Sequence, residues 1–68
     1  MDDSKTVLLD EKVELEKKLR SLNAFMQIPT FNDIHEVQRT LLKVQAKAMA
    51  TYLECLNERI TWLTNEVE

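Results

Sequence analysis

The stretch Phe25–Glu36, FMQIPTFNDIHE, decides how the chain folds, because it holds the only proline, Pro29, of a sequence with no glycine. Proline has no N–H to continue a helix, and its ring pushes the preceding residue, Ile28, out of the α region. Thr30, Asn32 and Asp33 are residue types that start helices, and Asp33-Ile34-His35-Glu36 has the spacing of a capping box, although the box proper begins on Ser or Thr. The segment reads as a hinge over about residues 28–33, with one helix arriving and another leaving.

Upstream, a helix is expected over about residues 4–27. Leu8, Leu15, Leu19, Leu22, Phe25 and Met26 recur mostly at threes, fours and sevens, which lays one apolar stripe along a helix. Asp10, Glu11, Glu14, Lys17, Lys18 and Arg20 take the other face, with Glu14/Lys18 and Glu16/Arg20 at i, i+4 in the favourable order. Asp2 and Asp3 suit the positive end of the helix dipole.

Downstream, no breaker interrupts Ile34–Glu68, and a second, longer helix is expected over about residues 34–66. Two such helices of about 23 and 33 residues would measure roughly 35 and 50 Å. The short connection makes them antiparallel neighbours. On this reading the second helix outruns the first and leaves Ile60, Trp62, Leu63 and Val67 beyond the hairpin.

The 68 residues then form one all-α domain, 1–68, an antiparallel helical hairpin. One seam cannot hide Val37, Leu41, Leu42, Val44, Ala46, Ala48, Met49, Ala50, Leu53, Leu56, Ile60 and Leu63 together, and a chain this short buries little surface alone. A homo-oligomeric bundle is therefore expected. Without glycine the phosphate-cradling loops of common cofactor sites are excluded, and no cofactor is expected.

A net charge of −3 and a pI near 5.1 speak against binding duplex nucleic acid. No apolar run is long enough to span a membrane and no signal peptide follows Met1, so a soluble, cytoplasmic protein is expected. Cys55, the single cysteine, fits a reducing compartment and reads as a small apolar residue in a helix seam. Catalysis is not expected: a nucleophilic thiol needs a base beside it, and antiparallel packing keeps His35, near the hinge, away from Cys55. The acidic pairs Asp10/Glu11 and Glu54/Glu58 lack the Glu-x-x-His element of helical metal sites, so no metal is expected either.

Charge is unevenly placed. Between Lys17 and Leu53 stand Lys17, Lys18, Arg20, Arg39, Lys43 and Lys47, against only Asp33 and Glu36. In a hairpin both arms of this segment would meet at the hinge end. Arg39, Lys43 and Lys47 follow each other at i, i+4, i+8 as one ridge. A local basic patch on an acidic protein suits a small, multiply charged anion; the plainer reading is a solvated face that pairs with a neighbour's acids.

A second pattern, Gln45, Met49, Tyr52, Leu56, Arg59 and Leu63, runs in steps of three and four but is half polar. Its polar members either hydrogen-bond across an oligomer axis or line a pocket, with Tyr52 stacking on a flat ring and Gln45 or Arg59 reading its edge. Phe31 and Trp62 are further stacking candidates.

The residues from Leu15 to Ile60 resemble a family of very short tailed-phage proteins. The shared pattern is Leu-x-x-Phe, here Leu22 to Phe25, then a hinge, then a helix carrying Leu41, Leu42, Gln45, Met49, Tyr52, Leu56, Arg59 and Ile60. Such proteins resemble the oligomeric sponges, the Sequestin class among them, that trap signalling nucleotides without cleaving them. The resemblance implies a phage counter-defence in the host cytoplasm, sequestering a cyclic di- or trinucleotide or a cyclic ADP-ribose relative and so opposing CBASS- or Thoeris-type immunity. On that implication Arg39 and Lys43, then Lys47 and Lys18, are expected to hold phosphates, and Tyr52 or Phe31 to stack on a base. The competing expectation is an adaptor that binds a host or phage protein through the apolar end around Trp62 and Leu63.

Overall fold

Ser4–Phe25 forms α1, Pro29–Asp33 a short 3-10 helix, and Glu36–Glu66 α2. The computed structural model describes residues 4–66; Asp2, Asp3 and Val67, named above, lie outside them. The two α-helices pack on each other as an all-helical hairpin.

The seam follows a seven-residue repeat. On α2 it comprises Arg39, Leu42, Ala46, Met49, Leu53, Leu56, Ile60 and Leu63, alternating steps of three and four. Every one of these is buried or half-buried, and Leu56 is fully enclosed at 0% exposure. Leu8 and Leu15 of α1 join Leu56 in the core, and Met49, Leu53, Ile60 and Leu63 pack around them. This is the two-helix version of coiled-coil packing, in which the seam keeps facing its partner because the repeat nearly matches the helical period.

That core corrects the expected register. Ile60 and Leu63 do not project beyond the hairpin, because they lie against the Leu8–Leu15–Leu56 core near the beginning of α1. The molecule measures 51 × 15 × 14 Å, and 31 helical residues span about 46 Å, so α1 lies within the length of α2. The extra length of α2 is at its start. There the connector between the helices, rather than α1 itself, runs beside its first turns. Of the three that are described, Trp62 stays open, at 66% exposure, on the side away from α1.

The connector is a tight knot. α1 ends by narrowing its hydrogen bonds, with Gln27 N–H on Ala24 and Ile28 N–H on Phe25 at 3.1 and 3.2 Å, the usual way a last turn satisfies its carbonyls. Ile28 is extended (φ −90°, ψ 152°), as Pro29 requires, and Pro29 opens the 3-10 turn. No described residue has a positive φ, which is why a chain without glycine makes this connection. Phe31 is buried and meets Phe25 edge to face, with ring centroids 5.9 Å apart.

The start of α2 also differs from the capping-box expectation. Asp33 is spent in the 3-10 turn, and Ile34 is again extended. His35 caps α2 instead: its carbonyl accepts the Arg39 N–H at 3.0 Å, and its Nδ1 accepts the Val37 N–H at 3.1 Å. The same ring position thus satisfies one of the orphan donors of the first turn. On α1, the ion pair formed is Lys17–Glu14 at 3.9 Å, i, i+3, in place of the expected i, i+4 pairs. Both ends are exposed, where such pairs contribute little.

Candidate functional site

The basic ridge begins at the hinge. Arg39 occupies the first seam position of α2, beyond the reach of α1, where the seam faces the carbonyls of the connector. Its Nη1 donates to Asn32 O at 2.8 Å and to Ile34 O at 2.9 Å. The side chain is half-buried. An apolar residue there would leave those carbonyls without this donor, which accounts for an arginine heading an otherwise apolar seam.

Lys43 and Lys47 continue the ridge as exposed side chains. Lys18 is exposed too, but it follows Leu15 by less than one turn and so stands beside the middle of α2, nearer the level of Lys47 than of Arg39. The basic residues of α1 and α2 therefore do not all gather at the hinge.

Gln45, Tyr52 and Arg59 are exposed and seven residues apart along one line, with Tyr52 41% exposed. Gln45 Nε2 rests against Met49 Sδ at 3.9 Å. Their former companions Met49, Leu56 and Leu63 belong to the seam with α1, so the half-polar pattern resolves into an apolar seam and a polar flank. Helical geometry puts Lys43 and Lys47 roughly 120–180° around α2 from Gln45, Tyr52 and Arg59. A single chain does not bring the cationic and aromatic candidates into one pocket.

Phe31 is 5% exposed and its ring is committed to Phe25, so it has no open face for a base in the chain as it stands. Cys55 is exposed rather than held in the hairpin seam. Twenty residues of helical rise, about 30 Å, separate it from His35, whose Nδ1 is engaged as a cap. Among the described residues no three His, Cys, Asp or Glu side chains gather as metal ligands, and no helix is long and apolar enough to cross a membrane. A shallow open depression on α2 is lined by Thr51, Glu54, Cys55, Asn57 and Glu58. None of the candidates lines it, and its two carboxylates give it the wrong sign for an anion.

Between the two flanks of α2 runs a second apolar line, on the face turned from α1. Val37, Leu41, Val44, Ala48, Thr51, Cys55, Glu58 and Trp62 alternate steps of four and three, and only Glu58 is charged. Val37, Leu41 and Val44 are each more than half exposed. Lys47 borders this line on one side, and Gln45, Tyr52 and Arg59 border it on the other. Sequence reasoning saw an excess of apolar residues on this helix, but the second seven-residue repeat was the sharper signal.

The Sequestin family model matches residues 2–62, which takes in both helices and the hinge together. The chain belongs to the Sequestin family. No curated protein and no solved structure matches it. Within this Sequestin chain, the matched span contains every candidate residue named above, from Lys18 to Arg59.

Proposed function

We propose that the chain associates with copies of itself through the outer line of α2 and holds a small nucleotide anion between them without altering it. The ligand class is a cyclic di- or trinucleotide, and the biological role is phage counter-defence against nucleotide-signalling immunity of the CBASS or Thoeris kind in the bacterial cytoplasm. The observation that carries this reading is the placement of Lys47 and Tyr52 on opposite borders of one exposed apolar line. A second α2 laid on that line places one copy's cationic border beside another copy's aromatic border when the helices run parallel.

Two further observations support it. The chain presents 5427 Å² of surface, against about 4,400 Å² for a compact monomer of this mass. Its family carries sequestration in its name. In such a site Lys43 and Lys47, with Lys18 less centrally, neutralise phosphates, Tyr52 stacks on a base, and Gln45 and Arg59 read its edge. A sponge works by slow release, and a site closed between copies excludes the water that would compete for those contacts. Catalysis has no part in this proposal.

The competing adaptor reading keeps Trp62, 66% exposed, but loses Leu63, which is packed against α1, and would have to combine Trp62 with the rest of the outer line. Isothermal titration with cyclic di- and trinucleotides and cyclic ADP-ribose isomers separates the two. Lys43→Glu with Lys47→Glu abolishes heat of binding on the sponge reading. Undiminished binding by that double variant contradicts the site, and no binding by the unmodified protein to any of the panel contradicts the function.

A further inference from the structure

The ridge Arg39, Lys43, Lys47 is uniform in charge but not in what its members touch. Lys43 and Lys47 are exposed. Arg39 is half-buried, and Nη1 is used twice, on Asn32 O and Ile34 O. Those two carbonyls flank the end of the 3-10 turn: Ile34 N–H returns to Phe31 O at 3.3 Å, and Phe31 N–H to Ile28 O at 3.1 Å. One guanidinium thus ties the closing end of the connector to the first full turn of α2.

Both bonds leave from one nitrogen, Nη1, whose two N–H groups are fixed in the guanidinium plane and so suit two acceptors in fixed positions, whereas the N–H groups of an ammonium on a flexible stem have no such fixed plane. The bridge also spans a joint. Asn32 lies in the 3-10 turn, Ile34 is extended, and α2 begins two residues later. Without the bridge the joint retains His35 as cap and Phe31 in its apolar seat, and α2 stays packed on α1 from Met49 onward, but the first turns of α2 lose their side-chain tie to the connector. Lys43 stands one helical turn beyond Arg39, on the stretch of α2 ahead of that packing, so the clamp on the first turns bears on where Lys43 presents its charge.

We infer that Arg39 is a positioning residue, which fixes the connector on α2 and so aims Lys43, and is not itself a phosphate ligand. The functional half of this inference rests on the anion-binding reading given above; the clamp itself does not.

The test has two parts. The first is amide hydrogen exchange on the full-length protein without ligand, comparing Arg39→Lys with the parent. Arg39→Lys keeps the charge and loses the planar N–H pair of Nη1. Exchange at Phe31 and Ile34 is expected to quicken about tenfold, since hydrogen bonds from a charged donor are lost next to them. Amides around Leu15 and Leu56 are expected to stay as they were, which shows that the variant is folded. Unchanged exchange at Phe31 and Ile34 overturns the clamp. The second part is titration with whichever cyclic di- or trinucleotide binds the parent most tightly, at low and high salt. Arg39→Lys and Arg39→Gln are expected to weaken binding to a similar extent, about tenfold, and to keep the parent's salt dependence. Lys43→Gln is expected to weaken both binding and its salt dependence. Binding by Arg39→Lys as tight as the parent's, with Arg39→Gln impaired, makes Arg39 a direct charge contact and overturns the inference. Absence of binding by the parent strikes the anion-binding reading, while the exchange result still decides the clamp.

Discussion

Phe25, the last residue of α1, and Phe31, in the 3-10 turn, meet with their ring planes at 83° and their centroids 5.9 Å apart. Edge-to-face contact of this kind aims the positive rim of one ring at the negative face of the other. It closes the connector on itself, so that α2 starts from a fixed place. Phe31→Ala is expected to cost about 3 kcal/mol by leaving a cavity in that knot. Chemical denaturation followed by circular dichroism reads it; a loss well under 1 kcal/mol would mean that the knot contributes little.

Leu56 offers the sharper test of the core. It is the fully buried side chain of the hairpin, surrounded by Leu8, Leu15 and the flanking α2 residues. Leu56→Ala is expected to cost about 2–5 kcal/mol, a large part of what a domain of this size has to lose. The variant should be substantially unfolded at temperatures where the parent melts only slightly.

The His35 cap predicts a pattern across substitutions. His35→Ala removes the acceptor of the Val37 N–H and is expected to lower stability by about 1 kcal/mol. His35→Asn supplies a side-chain oxygen in place of the ring nitrogen, at a position that favours Asn, and is expected to recover most of that loss. Equal stability of all three proteins contradicts the capping role.

The outer line of α2 predicts an effect on mass rather than on folding. Leu41 and Val44 are exposed in the single chain, so Leu41→Glu with Val44→Glu leaves the hairpin seam untouched. Sedimentation equilibrium is expected to show a smaller particle than the parent, with helical content of the hairpin retained. An unchanged particle mass removes this face from any assembly.

Much of the fold is legible in the residues themselves. Pro29 in a glycine-free chain leaves little choice but two helices and a joint, and the Leu8, Leu15, Leu19, Leu22 spacing states which side of α1 turns inward. The register is harder to read. Counting helix lengths puts the surplus of α2 at its far end, around Trp62, because it treats the connector as a point. The connector has length, and it occupies the first turns of α2, so the surplus moves to the other end. The helix start was hidden for a related reason: histidine is an unusual cap, and Asp33, the more usual one, belongs to the 3-10 turn.

The candidate site shows the same division. Steps of four make Arg39, Lys43 and Lys47 look alike, whereas steps of three and four place Arg39 at the head of the line Leu42, Ala46, Met49, Leu53, Leu56. That line was present in the sequence and marks Arg39 as inward-facing. What the arginine would meet there, two connector carbonyls, depends on the fold of the joint. In the same way Tyr52 and Lys47 are five residues apart in sequence yet face different sides of one helix, so their cooperation calls for a second copy.

This Sequestin chain is proposed to hold a nucleotide intact between copies of itself. The most direct measurement is isothermal titration of the purified protein with cyclic di- and trinucleotides, followed by heat denaturation and chromatography of the released ligand. Saturable binding by the assembled protein is expected, up to two ligands per pair of copies because the pair has two equivalent shared borders, with recovery of unaltered nucleotide. Release of a hydrolysed product, or binding of one ligand to each isolated monomer, would contradict it.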